Sequence, residues 1–387
     1  MAIPLKYNLR NLLVRWRTSV ATLLGIALVV AVFVMVESLA AGLKHSFVTT
    51  GDERNLLMLR KGSTADSNSQ IGRMQVDRIR YMAGIARQAD GRPLLSAESV
   101  ILVSLARASS QGEANVLVRG LEPAGLELRP QARLVEGRMF RGGLREVICS
   151  RQLGERFSCC QLGRSFRAGK NQFKVVGVFD AGRSAYDSEI WMDVNEARSV
   201  FDREFFSSIL FRPENEEAAA RLKKTIEDDR QLTSRIIREP DYFKEQTMTA
   251  GPIKWFGDFL SWIMSIGAVF AVMNTMYATI GRRIREVGTL RVLGFRRREI
   301  LISFLLESLF LGLIGGVIGC LLALPLNGVA TGTINLQTFS EVAFQFRVTP
   351  DLLIKGMVFS MFMGVAGGFL PARVAASTPV LQALKSV

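Results

Sequence analysis

Four long uncharged stretches stand out along the chain, separated by segments that carry charged residues. Their limits are 18–36, 259–281, 308–340 and 356–372. About twenty apolar residues in a helix span the hydrocarbon core of a bilayer, so each stretch can account for one crossing. The first lacks a convincing small-residue cleavage motif before Glu37, which favours a retained anchor over a cleaved signal peptide. The pattern therefore predicts four transmembrane helices.

The region between the first two stretches has a different pattern, in which short apolar runs alternate with polar segments. Helical periodicity occurs at 76–89 and 216–229. The run 235–237 would be the returning strand of a β-α-β unit that begins at 207–211. Residues 61–72 contain Ser, Asn and Gly and are predicted to form a mobile loop. The other predicted strands are 100–105, 115–121, 173–179 and 189–192.

These patterns predict a membrane α-helical protein with four transmembrane helices and a large α+β extracytoplasmic domain inserted between helices 1 and 2. We expect two small α+β lobes in that domain, on a stalk formed by continuations of spans one and two. The predicted division is an amphipathic cytoplasmic N-terminus (1–17), span one (18–40), the extracytoplasmic domain with its stalk (41–255), span two (256–281), a cytoplasmic coupling loop (282–299), span three (300–330), a short outer loop (331–351), span four (352–372) and a cytoplasmic tail (373–387).

Basic residues near the span ends set the orientation, because Lys and Arg beside a transmembrane helix are retained on the cytoplasmic side. Arg10, Arg15 and Arg17 precede the first span, and Arg373 follows the fourth. The loop between spans two and three adds further arginines: Arg282, Arg283, Arg285, Arg291, Arg296, Arg297 and Arg298. Both termini are therefore predicted to be cytoplasmic. The formal net charge of +14 then reflects topology and contact with membrane lipids, and no nucleic acid partner is expected.

The loop between spans two and three also has helical periodicity. Five of its residues recur at spacings of three and four, which would place them on one face of a short helix. They are Arg283, Glu286, Leu290, Leu293 and Gly294. Gly294 would end the helix, and Phe295 would then be placed to insert into a hydrophobic cleft. Two interpretations remain open: a rigid lever that a partner grips, with Arg285 and Arg291 available to acidic groups, or a positive loop that only orients the protein.

The residue types needed for catalysis are scarce. His45 is the only histidine, which excludes a histidine-based triad and a multi-histidine metal site. Residues 163–171 resemble a nucleotide-binding loop, but five residues separate the glycines where four are needed, and Asn171 replaces the magnesium-binding hydroxyl. No catalytic, cofactor-binding or metal site is therefore predicted, and the chain is not expected to be an enzyme.

The four cysteines leave their redox state open. Cys149 would be able to pair with Cys159 or Cys160 in an oxidising compartment, or all three would be unpaired small apolar residues. Cys320 lies inside span three and is expected to serve in packing.

Polar residues inside the predicted spans each have two interpretations. Glu307 either pairs with a cytoplasmic arginine or extends its side chain to the near interface. Asn274 either hydrogen-bonds across a dimer or bonds to the backbone of a neighbouring helix. Glycines are expected to let spans three and four approach closely within one subunit: Gly312, Gly315, Gly316, Gly319, Gly364, Gly367 and Gly368.

Several motifs carry a resemblance to a known family. Residues 282–294 read R-R-x-R-E-x-G-x-L-R-x-L-G, the strands FKVVGVF and EIWMD lie in the large domain, and the end of the chain carries Pro371, Arg373 and Pro379. This set closely resembles the MacB/FtsX-type ABC transporter permeases, the type VII or mechanotransmission family. The resemblance covers nearly the whole chain, including the order of one span, a large domain and three spans.

The resemblance implies a permease subunit in a bacterial inner membrane, with its large domain periplasmic or extracellular. Two copies would associate with two cytoplasmic ABC ATPase subunits, which bind ATP and Mg²⁺, and ATPase closure would move the outer domain. The second permease copy would make a homodimer or a heterodimer. A periplasmic adaptor protein and an outer-membrane channel are further candidate partners. The residues expected to couple to the ATPase are Arg283, Arg285, Glu286, Gly288, Arg291, Leu293, Gly294 and Phe295.

The implied function is export or extraction of an envelope substrate, which would be a lipid, a lipoprotein, a peptide or a small amphiphile. The alternative is an FtsX-like regulatory subunit that controls a cell-wall hydrolase or senses an extracellular ligand. The length of the large domain favours the transporter, because division-type members tend to have smaller outer domains.

Overall fold

The computed structural model describes residues 16–108, 112–247 and 250–379, which fall into two compact units. We call the first the membrane unit, made of the described residues 16–41, 252–329 and 346–379. We call the second the inserted domain, made of residues 42–251 and 330–345. Residues 1–15 of the predicted N-terminal segment (1–17) and residues 380–387 of the predicted tail lie outside the described residues.

The helices in chain order are α1 (Trp16–Val48), α2 (Arg73–Arg80), α3 (Ala124–Glu127), α4 (Arg151–Arg156), α5 (Val194–Val200), α6 (Glu216–Asp228), α7 (Glu239–Gln246), α8 (Ala250–Arg282), α9 (Ile284–Val292), α10 (Arg297–Ala323) and α11 (Pro350–Ser377). The strands are β1 (Leu56–Arg60), β2 (Leu95–Ala106), β3 (Glu113–Leu121), β4 (Arg133–Gly137), β5 (Glu146–Ser150), β6 (Ser165–Ala168), β7 (Asn171–Asp180), β8 (Glu189–Asp193), β9 (Ser208–Phe211), β10 (Ser234–Arg238), β11 (Ala330–Ile334) and β12 (Glu341–Gln345).

Among the residues that the structure describes, four helices are long and apolar enough to cross a membrane, which confirms the predicted number of spans. The candidate spans are Val20–Val48, Lys254–Arg282, Arg297–Leu326 and Pro350–Ser377. The first helix continues to Val48 and the fourth to Ser377, both beyond the limits predicted from the uncharged stretches. Charged residues near the ends of these helices, Glu37 in α1 and Arg373 in α11, explain the difference, because they remain helical although they interrupt the apolar pattern.

Small residues bring α10 and α11 into close contact. A Cβ atom at Gly312 would lie 2.6 Å from the carbonyl oxygen of Ser360, and one at Gly364 would lie 2.6 Å from that of Ser308. Gly319 faces α1 in the same way, because its Cβ would lie 2.6 Å from the carbonyl oxygen of Ala27. Any side chain at these positions would force the helices apart. The predicted close packing of spans three and four within one subunit is confirmed.

The inserted domain is built on a ten-stranded sheet, among the residues that the structure describes. The strand order is β10-β1-β9-β2-β3-β8-β5-β7-β4, and β6 pairs with β7. Strand β2 joins the two halves, because residues 95–98 pair with β9 and residues 99–106 pair with β3. Each half has its own apolar core, one around Met58 and Ile209, the other around Val116 and Val175. The two predicted lobes therefore correspond to two halves of one continuous sheet.

The predicted β-α-β unit is present as β9, α6 and β10, with one addition. Strand β1 lies between β9 and β10 and is antiparallel to both, so β9 and β10 are parallel to each other. The helix buries Leu222 and Ile226 against this half of the sheet and begins at Asn215, whose side chain accepts a hydrogen bond from the amide of Ala218.

Two local predictions for this domain are wrong. The helix predicted at 76–89 ends at Arg80, and Gly84, with a left-handed φ of +96°, would itself prevent a helix from continuing to Ala89. The segment 61–72, predicted to be a mobile loop, is packed against the domain. Within it Ala65 and Asp66 are buried, and Asp66 forms an ion pair with Arg119. The polar character of this segment is thus explained in part by the buried ion pair of Asp66.

The predicted short outer loop contains a β-hairpin that belongs to the inserted domain. Strands β11 and β12 pair from Ala330–Gln345 to Ile334–Glu341. The Glu341 carboxylate is 2% exposed and pairs with the guanidinium groups of Arg107, at 2.6 Å, and of Arg156. The amide of Ala343 also donates a hydrogen bond to Ser188 Oγ at 2.8 Å. The chain therefore returns to the inserted domain after span three, a contact that no pattern in the sequence indicated.

Replacing Glu341 with glutamine is expected to loosen this hairpin. The amide cannot balance two guanidinium charges, and hydrogen bonds to charged groups contribute about 1.5–3 kcal/mol each. Hydrogen exchange of the β11 and β12 amides in the full chain should accelerate about 10- to 100-fold. Glu245→Gln is the matched control, because the Arg235–Glu245 pair is 40% and 44% exposed. Equal exchange in both variants would show that the buried pair does not hold the hairpin.

Candidate functional site

The segment between spans two and three forms a short helix set off from its neighbours at both ends. Helix α8 ends at Arg282, and Arg283 leaves helical geometry with φ −110° and ψ 13°. Helix α9 then runs from Ile284 to Val292 and buries Val287 and Gly288. The segment is therefore anchored by one face of α9, which leaves the opposite face exposed.

A buried ion pair connects this segment to span three. Nη1 of Arg283 lies 3.1 Å from Oε2 of Glu307, and their side chains are 5% and 4% exposed. Nε of Arg283 donates a hydrogen bond to Oε2 of Glu286 at 2.9 Å, and its guanidinium lies 5.4 Å from the ring centre of Phe304. Glu307 thus pairs with an arginine, which decides between its two interpretations. Removing either partner would leave a buried charge, which is strongly unfavourable.

Gly294 closes α9 with a defined backbone motif. It adopts a φ of +95°, its amide donates to the carbonyl of Arg291, and the amide of Phe295 donates to the carbonyl of Leu290. These two hydrogen bonds are those of a Schellman motif, in which a left-handed residue reverses the chain direction after a helix. A Cβ atom at Gly294 would meet no other atom within 4 Å, so the requirement for glycine comes from the backbone alone. The predicted helix end is confirmed.

The end of α9 exposes an apolar surface. Val292 and Leu293 are 64% and 69% exposed, while Phe295 is half-buried. Arg291 donates a hydrogen bond to the carbonyl oxygen of Phe295 at 3.2 Å, which fixes the turn that follows. We call Val292, Leu293 and Phe295 the α9 tip.

The predicted coupling residues do not share one face. Arg283 and Gly288 are buried, whereas Arg285, Glu286 and Leu293 are exposed. The expectation of a single face through Arg283 and Leu293 is therefore wrong. The helix begins one residue after Arg283, and the side chain of Arg283 is directed to span three by Glu307.

The remaining predicted site residues lie in spans two and four. Asn274 is exposed on α8, and Pro371 is buried within α11. Arg373 is exposed near the end of α11, and Pro379 follows the end of that helix. Helix α9 contacts α11, so the segment between spans two and three also touches span four. The exposure of Asn274 leaves its dimer role a prediction.

The inserted domain contains a cluster of buried charges that sequence reasoning missed. The guanidinium of Arg119 lies 2.9 Å from Asp66, 3.0 Å from Glu98 and 2.6 Å from Glu189. Arg129 binds Glu98 as well, with Nη2 and Oε2 separated by 2.8 Å. All five side chains are at most 4% exposed. The sequence did contain a signal for this cluster: one charged residue lies within each of two largely apolar strands, Glu98 in β2 and Arg119 in β3.

Opposing effects set the ionisation of this cluster. Burial alone would raise the pKa of Glu98, but Arg129 and Arg119 outweigh it and hold the pKa below its usual value. Burial also opposes the charge on Arg119, yet Glu189 and Asp66 raise its pKa well above the ordinary value. Glu98 and Arg119 are therefore charged at neutral pH, and the cluster acts as a structural core. Among the described residues, no group of three or more His, Cys, Asp or Glu residues is arranged to hold a metal ion.

A short turn at residues 184–188 joins several parts of the inserted domain. The amide of Ala185 donates to Thr50 Oγ1 at 2.7 Å, and Ser188 Oγ accepts from the hairpin. The hydroxyl of Tyr186 donates to Glu239 at the start of α7. Burial raises the pKa of Asp187 to about 6, although the amides of Ala181 and Arg183 donate hydrogen bonds to its carboxylate. The turn thus contacts the segments that enter and leave the domain, and the hairpin as well.

Two family models match the chain. The model of the MacB-like periplasmic core domain matches residues 19–229, more than half of the chain, and that of the FtsX-like permease C-terminal matches residues 259–380. The chain belongs to the MacB/FtsX-like family of ABC transporter permeases. The segment between α8 and α10 and the β11–β12 hairpin both lie inside the second match.

Named relatives of this MacB/FtsX-like permease differ in length. The macrolide export ATP-binding/permease protein MacB of Rhodopseudomonas palustris is 27% identical over 70% of this chain and 43% of its own length. The uncharacterized ABC transporter permease YknZ of Bacillus subtilis is 24% identical over 98% of both chains. The chain spans 58% or less of the length of three further relatives. The crystal structure of the extracellular domain of the noncanonic ABC-type transporter YknZ from Gram-positive bacteria is 14% identical, with a TM-score of 0.37, over 48% of this chain and 100% of that domain.

Family membership confirms the identification made from sequence motifs and the fold class predicted with it. The family accounts for the four candidate membrane helices, and the cytoplasmic ATPase partner stays a prediction. The coupling role of the residues around α9 stays a prediction.

Proposed function

We propose that this permease converts closure of a partner ATPase into motion of its inserted domain, and that this motion drives export or extraction of an envelope substrate. The observation that carries the proposal is the exposed α9 tip, at the end of a helix whose start is joined to span three by the buried Arg283–Glu307 pair. An exposed apolar tip offers a place to be gripped, and a buried ion pair resists displacement of the start of α9 from the span.

Docking would take place at the α9 tip. Exposed Val292 and Leu293 would enter an apolar cleft on the ATPase, because burying such side chains contributes about 1.5–3 kcal/mol each. Exposed Arg285, with Arg297 and Arg298 at the start of α10, would contact acidic groups around that cleft. The charge distribution along the chain supports a cytoplasmic position for this segment.

Transmission would follow the connections of the chain. Displacing α9 moves α8 directly, and moves α10 through both the chain and the Arg283–Glu307 pair. Helix α10 leads to the β11–β12 hairpin, which Glu341 fastens to the inserted domain. Helix α1 is uninterrupted from Trp16 to Val48 and so reaches the first residues of that domain. A helix suits this task because its backbone hydrogen bonds are internal.

The proposed complex contains two ATPase subunits, which supply the ATP and Mg²⁺ sites, and two permease copies in a bacterial inner membrane. The name of the MacB relative combines macrolide export, ATP binding and permease functions, which supports the choice of export. The proposed cargo is a lipid, a lipoprotein, a peptide or a small amphiphile, with a periplasmic adaptor as a further partner.

The double variant Val292→Asp, Leu293→Asp tests the docking site. Two carboxylates would have to be buried in an apolar cleft, so the amount of ABC ATPase that copurifies with the chain from its native cells should fall at least about tenfold. Membrane insertion and thermal stability of the purified chain should remain at wild-type levels, because both side chains are exposed.

Val329→Asp is the matched control, because Val329 is a 44% exposed apolar residue that follows the opposite end of span three. This variant should retain the ATPase. Normal copurification with the α9 double variant would refute docking at the tip, and the absence of any ATPase with the wild-type chain would refute the proposed function.

A further inference from the structure

One segment of the inserted domain carries a large excess of positive charge. Residues 138–174 contain nine Arg and Lys residues against two Glu, a net charge of +7, which is half of the +14 of the whole chain. Membrane topology explains basic residues beside the spans, but this segment lies outside the four candidate spans. Its charge therefore needs another explanation.

Three of these basic residues are neighbours on adjacent strands. The amide of Lys174 in β7 donates a hydrogen bond to the carbonyl of Arg145, just before β5, at 2.9 Å. The amide of Val175 donates to the carbonyl of Arg164, just before β6, also at 2.9 Å. Lys174 is therefore flanked by an arginine on each side.

The β6–β7 hairpin adds a fourth basic residue to this group. Phe166 of β6 and Phe173 of β7 pair across the hairpin and belong to the apolar core. Because side chains alternate along a strand, Arg167 and Lys174, the next residues, face the opposite, exposed side. Strand geometry places all four Cα atoms within about 10 Å of that of Lys174. We call Arg145, Arg164, Arg167 and Lys174 the basic surface.

No acidic side chain neutralises the basic surface among the residues that the structure describes. Glu146 pairs with Lys174 across β5 and β7, but its carboxylate already accepts hydrogen bonds from Nη1 of Arg138, at 2.6 Å, and from the amide of Arg141, at 3.1 Å. All four side chains of the basic surface are exposed. Like charges on neighbouring strands repel one another, so binding of an anion among them would be favourable.

Exposed leucines border the basic surface. Leu162 is 45% exposed and Leu134, in β4, is 40% exposed. A Cβ atom at Gly137 would lie 2.8 Å from Cδ1 of Leu162, and one at Gly177 would lie 3.0 Å from Cδ1 of Leu134. Because Gly137 and Gly177 pair across β4 and β7, the two leucines lie in the same part of the sheet. Gly177 is about 10 Å from Lys174 along β7, so charged and apolar groups adjoin.

We propose that the basic surface, with Leu134 and Leu162, binds a lipid whose headgroup carries phosphate groups. The planar guanidinium of arginine matches two phosphate oxygens at once, and the basic surface contains three arginines. The leucines offer apolar contact to the acyl part of a lipid, which a free phosphate ion would leave unused. The inference rests on the proposed function and narrows its cargo to a phosphorylated lipid.

Acetylation of lysines in the purified full chain tests this surface directly. The chain is kept in a neutral detergent, and mass spectrometry follows the reaction with added cardiolipin, which carries two phosphates, or with zwitterionic phosphatidylcholine. Lys174 should react at least about fivefold more slowly with cardiolipin than with phosphatidylcholine. Lys223 and Lys224, exposed on α6 of the same domain, are internal controls and should react equally in both lipids.

Two double variants separate the basic surface from a general attraction to positive charge. Arg164→Gln with Arg167→Gln should abolish the protection of Lys174, because both guanidinium groups that would hold phosphate are gone. Arg221→Gln with Arg230→Gln removes the same charge from exposed positions elsewhere in the domain and should leave the protection intact. All four side chains are exposed, so both variants should fold normally.

Three results would overturn the proposal. The first is equal acetylation of Lys174 in the two lipids, and the second is equal protection of Lys223 and Lys224, which would indicate unspecific adsorption. The third is full protection of Lys174 by sodium pyrophosphate at the same phosphate concentration, because the lipid would then be unnecessary. Retained protection in the Arg164→Gln, Arg167→Gln variant would equally contradict the assignment of the site.

The copurification experiment with the ATPase fails independently of this one. Protection of Lys174 in a chain that recovers no ATPase would uphold the lipid site and count against the proposed function. Recovery of the ATPase without protection of Lys174 would uphold the proposed function and overturn the lipid site.

Discussion

Replacing Arg119 with methionine is expected to destabilise the inserted domain severely. The Arg119 guanidinium is 3% exposed and neutralises the carboxylates of Asp66, Glu98 and Glu189. Methionine matches the length of the side chain but leaves Asp66 and Glu189 without their ion pair, and breaking a buried pair costs about 3–5 kcal/mol. Domains have only about 5–15 kcal/mol of total stability, so this loss is a large fraction of it.

Thermal unfolding of the purified full chain, together with hydrogen exchange in β2 and β3, measures the effect. Arg238→Met is the matched control, because Arg238 and its partner Glu216 are 40% and 74% exposed, and such pairs contribute about 0–1 kcal/mol. Wild-type exchange in β2 and β3 of the Arg119→Met variant would show that the cluster does not support the fold.

The deficit of Arg119→Met should also depend on pH. The pKa of Glu98 is lower in the folded state than its ordinary value of 4.5, so its pairing stabilises the fold above that pH. As the pH falls below about 4.5 and through the folded-state pKa, this contribution is lost. The difference in the free energy of unfolding between wild type and variant should therefore narrow in acid.

Replacing Gly294 with valine is expected to uncouple the ATPase from the permease. Valine resists the φ of +95° that the end of α9 requires, at a cost of about 1–3 kcal/mol, and the turn would change direction. Leu293 and Phe295 on either side of Gly294 would then be misdirected. In the assembled complex, the amount of cargo transported per ATP hydrolysed should fall at least about tenfold.

The Gly294→Asn variant distinguishes an effect of backbone conformation on coupling from an effect of side-chain size. Asparagine tolerates the left-handed conformation, and a Cβ atom at this position meets no other atom within 4 Å. This variant should couple within about twofold of wild type. Equal loss of coupling in both variants would indicate that the backbone conformation at Gly294 is not the cause. Full coupling in both variants would show that this turn is not needed for coupling.

The membrane unit was predictable because its signals are local. A span needs only a continuous apolar stretch, and the end of α9 needs only a glycine at the right place after a helical run. The predicted span count and the role of Gly294 as helix end are accordingly confirmed. The grouping of Arg283 with Leu293 was wrong because periodicity assumes that the helix has already begun at Arg283.

The inserted domain contains contacts that the sequence alone could not predict. Asp66 lies in a polar segment that looks mobile, and only the distant Arg119 explains why it is buried. Glu341 and Arg107 are likewise far apart in the sequence, and their contact requires the chain to pass through two spans in between. Contacts of this kind depend on tertiary structure, because neither residue has a local pattern that identifies its partner.

The β11–β12 hairpin has a consequence for modular exchange among these permeases. A chimeric permease that imports a foreign segment 42–251 alone would retain its own residues 330–345 and would pair Glu341 with whatever replaces Arg107 and Arg156. Both segments have to be exchanged together for the graft to be complete. Homologous recombination that transfers only the longer segment would therefore be disfavoured, and the two segments should be inherited as one set.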